Sequence, residues 1–161
     1  MATAKRGQES IQIAAAPEAV YDLIADVTRM GEWSPECYRC EWLDGATTAE
    51  VGARFRGYSR LGRVRRATTA VVSAAQRGHE FAFAVVHDKS GRDETLWRYR
   101  LEPASGGALL TESFEFVWCP HPVVNRAVEM FIPRGSQVNR GIHETLQRIA
   151  KAASAPVVPL S

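Results

Sequence analysis

The last and longest amphipathic segment of the sequence is residues 121–153, which read HPVVNRAVEMFIPRGSQVNRGIHETLQRIAKAA. Its apolar residues recur at spacings of three and four, the period that places side chains on one face of an α-helix. One stripe consists of Val124, Val128 and Phe131 or Ile132, and a second of Val138, Ile142, Leu146, Ile149 and Ala153. Pro133-Arg134-Gly135 separates them and predicts a kink or a brief break, because proline lacks the N–H and crowds the preceding turn. A helix of this length needs a broad apolar surface to lie on.

The preceding sequence predicts strands that supply this surface. Ile11 and Ile13 alternate with polar residues and predict a first strand. Pro17-Glu18 then opens a helix, and residues 28–33 predict a second short one. From residue 37 the period changes to two, and we expect strands at residues 37–43, 53–59, 63–75, 80–88, 93–102 and 108–118. Because the connections are short, an antiparallel meander is the natural topology.

Alternation along these strands gathers aromatic side chains on one face of the sheet. On strand 93–102, apolar Trp97, Tyr99 and Leu101 alternate with charged residues. The same parity groups Leu110, Phe114, Phe116 and Trp118 on the last strand, and the larger side chains of strand 80–88 predict Phe81, Phe83 and Val85 on the inner face. This face either fills a core or forms the wall of a pocket beneath the long helix.

The composition is that of an ordinary folded domain, with 161 residues, 45% hydrophobic and 24% charged. No apolar run of about 18 residues predicts a membrane span, and residues 1–6 lack the pattern of a secretory signal. A net charge of +2 is too small to favour nucleic acid. Three cysteines without an export signal favour a reducing compartment, so we expect a cytoplasmic location. We expect one domain at 8–154 between a disordered tail at 1–7 and a C-terminal tail at 155–161.

Six segments carry a resemblance to a known group of proteins. They are Ile11–Ile13 with Ala16–Asp26, then Gly31–Glu36, Val51–Phe55, Trp97–Pro103 and Leu110–Ser113. In this order they resemble the START-like (SRPBCC) superfamily, in its polyketide cyclase/dehydrase and lipid-transport branch, over roughly residues 8–153. The resemblance implies an α+β helix-grip fold. In that fold a curved seven-stranded antiparallel sheet wraps around a long C-terminal helix, with two short helices.

The resemblance also implies that a hydrophobic small molecule, such as a lipid, polyketide or isoprenoid, binds between the sheet and the long helix. The expected lining residues are Trp33, Phe81, Phe83, Trp97, Tyr99, Glu112, Phe114, Phe116, Val128, Phe131 and Ile132. The alternative is an aromatase/cyclase-type enzyme that folds a poly-β-keto chain in the same cavity, with Glu112, an inward arginine such as Arg66, or Tyr99 moving protons. Members of one fold do not share one chemistry. We further expect the break at Pro133 to lie over the pocket mouth and to let the two helical blocks move relative to each other.

Glu112 is the most informative polar residue, because its parity places it among Leu110, Phe114 and Phe116. An ionised carboxylate there is costly unless it is paired. Arg65 and Arg66 are adjacent on a strand, so one of them is expected to point inward and to pair with it. Such a pair could orient a ligand, could be only a satisfied core pair, or Glu112 could sit at a solvated mouth.

Metal and thiol chemistry are not expected, and no cofactor is implied. Cys37 and Cys40 form a CxxC, but an offset of three on a strand places them on opposite faces. A redox CxxC is favoured at a helix N-terminus, which this one is not. The four histidines pair with no obvious nucleophile, and the sequence has no Gly-rich phosphate loop, GxSxG or HExxH. No motif therefore points to catalysis.

A dense basic hairpin contains the arginines at 54, 56, 60, 63, 65 and 66, interleaved with Phe55 and Tyr58. It is either a solvated surface whose charge is balanced elsewhere or a site of transient contact with an anionic membrane or protein. We expect no nucleic acid partner, and a monomer or a homodimer.

Overall fold

The computed structural model describes residues 6–131 and 134–154, without the side chains of residues 125, 127–129 and 131. The helices are α1 (Pro17–Ile24), α2 (Met30–Trp33), α3 (Pro122–Phe131) and α4 (Arg134–Ala153), with a 3-10 turn at Val27–Arg29. The strands are β1 (Arg6–Ile13), β2 (Cys37–Trp42), β3 (Arg54–Leu61), β4 (Val64–Gln76), β5 (Glu80–Val86), β6 (Asp93–Ala104) and β7 (Gly107–Phe116).

The seven strands form one antiparallel sheet in the order β1-β7-β6-β5-β4-β3-β2. Strands β2 to β7 are a meander, and β1 closes the order by pairing along the whole of its length with β7. Short turns join β3 to β4, β4 to β5 and β6 to β7. In the last of them Gly106 adopts a φ of 77°, which favours glycine. The predicted α+β fold, with a curved seven-stranded sheet, a long C-terminal helix and two short helices, is confirmed.

The core lies between the concave face of the sheet and α4. Four residues of the predicted second stripe are buried, Val138, Ile142, Leu146 and Ile149, while Ala153 packs at the edge of the core. Helix α4 packs against β1, α1, α2 and β7. The strand face predicted from parity is also buried, with Phe81, Tyr99, Leu101, Leu110 and Phe114 in the core. The helical period of α4 and the alternation along the strands therefore identified the two surfaces that pack against each other.

Three expectations are corrected, two about the ends of strands and one about the buried face of α3. Strand β1 begins at Arg6, so Arg6 and Gly7 pair with Glu115 and Phe114 and do not belong to a tail. Strand β7 ends at Phe116, and Trp118 lies beyond it with its ring centroid 4.5 Å from the Arg92 guanidinium. In α3, Val124 is 63% exposed and does not form a buried stripe.

The predicted break is at Pro133-Arg134-Gly135; Pro133 lies outside the described residues, and Arg134 and Gly135 are already the first residues of α4. The side chains of Val128 and Phe131, and all of Ile132, also lie outside them. Among residues 6–131 and 134–154, no helix has both the length and the apolar character needed to cross a bilayer.

Candidate functional site

A cavity of about 170 Å³ lies between the concave face of the sheet and α4. Its floor comes from β3 to β7, one side from α2 and the segment leading into β2, and its cover from the first half of α4. Five residues predicted to line a pocket do line this cavity: Phe83, Trp97, Tyr99, Glu112 and Phe116. Parity on adjacent strands placed them together.

Three other predicted lining residues are core residues that the cavity does not reach. Trp33 is 2% exposed and lies beneath the guanidinium of Arg29, which is 5.4 Å from its ring centroid. Phe81 is fully buried and packs against the rings of Phe83 and Tyr99. Phe114 is 2% exposed and packs against Trp97 and Phe116. For these residues, filling the core is the whole structural role seen in the described chain.

Glu112 is buried, with 2% of its surface exposed, and lines the cavity. The hydroxyl of Tyr99 donates a hydrogen bond to its Oε1 at 2.8 Å, and its Oε2 is buried without a partner among the described residues. Burial raises the pKa of the Glu112 carboxyl to about 8, while the Tyr99 hydrogen bond lowers it and the charge of Glu9 raises it. Glu112 is therefore a neutral acid at pH 7, with one oxygen free to donate a hydrogen bond.

The expected Glu112–arginine pair does not form. Of the adjacent residues Arg65 and Arg66, Arg66 lines the cavity. Its Nη2 is 3.0 Å from Oε2 of Glu94, so it pairs with that residue instead of Glu112. Glu94 is buried at 8% exposure, whereas the Arg66 side chain is largely exposed. The two strands that carry Arg66 and Glu112 are separated in the sheet by β5 and β6, so the arginine meets a carboxylate nearer its own strand. Arg134 makes a second ion pair on the cavity wall, 3.6 Å from Glu36.

Cys37 and Cys40 share a face of the sheet, which corrects the expectation that they point in opposite directions. Cys37 pairs with Ser59 and Arg39 with Tyr58, so β2 contains one extra residue between them. A bulge of this kind reverses the parity of the residues before it. The two Sγ atoms are 3.3 Å apart, and both residues line the cavity.

Sequence reasoning missed several other wall residues, notably Phe55, Met30, Gly141 and Thr145. Phe55 was assigned to the basic hairpin, although it is 2% exposed and packs edge-on against Phe83. Its alternation with Arg54 and Arg56 was a usable signal, because a strand with charges on one face presents its other face to the core. No local signal marked Gly141, because a helical glycine lines a cavity only when a partner surface stands opposite.

The basic hairpin is partly neutralised. Arg54 pairs with Asp44 at 3.1 Å, Arg56 with Asp88 at 3.1 Å, and Arg66 with Glu94. Its tip, residues 60–65, is exposed and includes the apolar side chains of Leu61 and Val64. Much of the charge density read from the sequence is therefore balanced by acids on neighbouring segments.

Comparison with known proteins identifies the family. The sequence pattern of the family described as polyketide cyclase / dehydrase and lipid transport matches residues 5–154. The chain belongs to this family. It is 33% identical to the polyketide-cyclase-like protein Cgl2372 of Corynebacterium glutamicum, covering 94% of this chain and 93% of that one with a TM-score of 0.65. The predicted superfamily is thus confirmed.

More distant solved structures share the fold. The di-domain ARO/CYC protein BexL of the BE-7585A biosynthetic pathway is 14% identical, with a TM-score of 0.68 over 94% of this chain and 50% of that one. Protein CV1439 of Chromobacterium violaceum is 17% identical, with a TM-score of 0.67 over 94% of this chain and 99% of that one. At these identities the likeness shows the fold alone. No functionally curated protein matches the sequence.

Proposed function

We infer that this family member binds a small, mainly apolar molecule in the cavity and holds its polar group at Glu112. The observation that carries this proposal is Oε2 of Glu112, which has no hydrogen-bond partner among the described residues and is buried on the wall of a cavity otherwise lined largely by apolar side chains. Binding sites commonly combine an apolar wall with a few convergent polar groups. A buried polar atom without a partner costs free energy, and a ligand that supplies the partner recovers it.

The size of the cavity limits the ligand. A dry cavity of about 150 Å³ accommodates benzene, so the 170 Å³ here suits a single ring or a short branched chain. Lipid, polyketide or isoprenoid fragments of this size are the candidate class. A longer ligand would extend beyond the cavity or would displace α4, which covers it.

The charge state of Glu112 selects the ligand's polar group. With a pKa of about 8 the carboxyl is protonated at neutral pH, and Oε2–H then donates to a carbonyl or hydroxyl oxygen. Tyr99 already donates to Oε1 and fixes the orientation of the carboxyl. We therefore propose a ligand with a hydrogen-bond acceptor at one end and apolar surface elsewhere.

Acetophenone and ethylbenzene form a matched pair of probes, because they share size and ring and differ in the carbonyl. We expect acetophenone to bind more tightly at pH 6, by up to roughly tenfold for one net hydrogen bond, in titrations followed by tryptophan fluorescence, since Trp97 lines the cavity. The preference should disappear at pH 9, where Glu112 is ionised, and should be independent of pH in Glu112→Gln. Equal affinities of the wild type for both probes at pH 6 would contradict the proposed role of Glu112.

Gly141 allows a steric test of the cavity. Among the described residues, a Cβ at this position comes within 4 Å only of the Cγ of Pro35, at 3.4 Å, so alanine fits. Leucine projects further into the space that Gly141 lines and is expected to abolish probe binding, while Gly141→Ala retains it. Native mass spectrometry of the purified protein should show a bound apolar molecule in the wild type and none in Gly141→Leu. Binding that survives in Gly141→Leu would place the ligand elsewhere.

An aromatase/cyclase-type enzyme is the second candidate, favoured by the same neutral carboxyl. A group with a pKa near the working pH is suited to general acid–base catalysis, and Glu112 with Tyr99 could protonate a carbonyl oxygen during ring closure. Glu112→Gln discriminates between the two functions. If the protein is an enzyme, the wild type converts a linear poly-β-ketone thioester and Glu112→Gln does not. If it is a carrier, neither the wild type nor the variant converts this compound.

A further inference from the structure

The strand that borders the cavity on one side, β2, carries two thiols in contact. Cys37 and Cys40 are three residues apart, and the extra residue in β2 between Cys37 and Arg39 turns both sulfurs to one side. Their Sγ atoms are 3.3 Å apart, and both cysteines are free. The bulge thus forms a dithiol in a strand whose spacing alone would separate the two side chains.

The surroundings distinguish the two sulfurs. Cys37 is half-buried and lines the cavity, so a reagent can reach it, whereas Cys40 is 5% exposed. Gly57 lies opposite on β3, where a Cβ would be 3.6 Å from the Cys40 sulfur and 3.8 Å from that of Cys37. The missing side chain leaves space next to both sulfurs. Cys40 also contacts the thioether of Met30 at 3.7 Å, which closes its other side.

The contact also makes Cys37 the more reactive thiol. A hydrogen bond from Cys40 lowers the pKa of Cys37 to about 7, against the opposing effect of burial. The same contact and burial raise the pKa of Cys40. Because the thiolate is the nucleophile, a thiol with a pKa near the ambient pH is well suited to attack a disulfide. Cys37 is then the attacking group and Cys40 the resolving group.

We propose that Cys37 and Cys40 form a redox-active pair that exchanges with low-molecular-weight disulfides. The Cys37 thiolate attacks one sulfur of a disulfide R–S–S–R, breaks the S–S bond and releases RS⁻. Cys40 loses its proton to solvent or to the departing thiolate, attacks the Cys37 sulfur and displaces the second RS⁻. The protein is oxidised to a Cys37–Cys40 disulfide while R–S–S–R is reduced to two thiols. The chemistry takes place on the cavity wall and does not involve Glu112.

Oxidised glutathione is a suitable probe for this reaction. The protein is incubated with it, quenched with iodoacetamide, and analysed as whole protein and as peptides by mass spectrometry. We expect the wild type to lose two hydrogens, to yield a peptide in which Cys37 and Cys40 are linked, and to remain alkylated at Cys119. Reduction with dithiothreitol should restore both thiols.

Two variants assign the roles of the sulfurs. Cys40→Ser removes the resolving thiol, so glutathione should remain attached to Cys37. Cys37→Ser leaves Cys40 as the only thiol of the pair, and its reaction should be slower than that of Cys37, because Cys40 is 5% exposed and burial raises its pKa. Cys119→Ser is the matched control and should oxidise at the wild-type rate.

Peptide mapping of the wild type gives a result even if a serine variant fails to fold. The proposal is overturned if Cys37 and Cys40 of the wild type are both alkylated after exposure to oxidised glutathione. A stable glutathione adduct on wild-type Cys37, with no internal link, would equally overturn it. Equal reaction rates of Cys37→Ser and Cys40→Ser would contradict the assignment of attacking and resolving thiols.

Discussion

Glu112 shows how a single side chain combines a structural cost with a chemical use. It is fully surrounded, and its pKa of about 8 means that the folded protein holds a proton that the unfolded chain, with a pKa of 4.5, releases. The stability contributed by this proton is fully present below the unfolded pKa of 4.5 and is lost as the pH rises through about 8. The residue therefore opposes folding most strongly in alkaline solution.

Replacing Glu112 with glutamine should remove this dependence on pH. The wild type is expected to lose stability between about pH 5 and 8, by at most about 1.4 kcal/mol per pH unit from this group. In Glu112→Gln this contribution is absent, so the free energy of unfolding of the variant should rise relative to that of the wild type as the pH increases. Urea unfolding at several pH values measures the difference. Glu115→Gln, at an exposed position of the same strand, is the control and should show the same pH dependence as the wild type. If the free energies of unfolding of Glu112→Gln and the wild type differ by the same amount at every pH, the raised pKa of Glu112 is disproved.

At the level of elements, the short helix α2 lies close against β2. A Cβ on Gly31 would overlap the carbonyl of Tyr38, so this glycine is required by the close approach of the backbones. The contact holds α2, and with it Met30, beside the bulged strand that carries the two thiols. Gly141 of α4 tolerates a side chain more readily, since its Cβ would have only an ordinary contact, with Pro35, among the described residues.

The two glycines should respond to alanine in opposite directions. Gly31→Ala is expected to destabilise the protein by about 1–3 kcal/mol, the usual cost of overpacking, despite the better helix propensity of alanine. Gly141→Ala should be neutral or stabilising by up to about 1 kcal/mol. Chemical denaturation of both variants provides the comparison, and an equal change in both would show that the contact with Tyr38 is not decisive.

Helices α3 and α4 should also differ in stability. Helix α4 buries four apolar side chains, whereas Val123, Val124 and Met130 of α3 are 81%, 63% and 79% exposed. Fewer buried contacts lower the free energy of local opening. Hydrogen exchange should therefore be faster in Pro122–Phe131 than in Arg134–Ala153, as expected if α3 moves when a ligand enters. Equal protection of the two helices would contradict this gating role.

At the scale of the whole molecule, many charged side chains form local ion pairs, and the net charge is small. The net charge is +2, and three of the six arginines of the basic hairpin pair with acids. The exposed tip of the hairpin, residues 60–65, combines basic residues with Leu61 and Val64. Contact with an anionic surface is thus a proposal about this tip and not about the entire hairpin.

Vesicles of mixed neutral and anionic lipids test the proposal. We expect weak co-sedimentation at low salt that falls as the salt concentration rises, because exposed charges are screened within about 10 Å at 0.1 M. Arg63→Glu with Arg65→Glu should abolish it. Arg140→Glu, an exposed arginine on α4, makes a similar change away from the tip and should have little effect. Binding that is insensitive to salt would exclude an electrostatic contact.

The sequence by itself determined the architecture, because the apolar period of two in the strands and of 3.6 in the helices shows which side chains share a face. It also placed Glu112 inside, since strand parity is a local property. The Tyr99–Glu112 pair could also have been predicted from the sequence. The two-residue turn places Ala104 opposite Gly107, and the same register places Tyr99 opposite Glu112. Only the tertiary structure decided that Arg66 pairs with Glu94, that Trp33, Phe81 and Phe114 fill the core, and that Cys37 meets Cys40. Ion pairs, cavities and bulges depend on which distant segments pack together, and a bulge in β2 exists only relative to the register of β3.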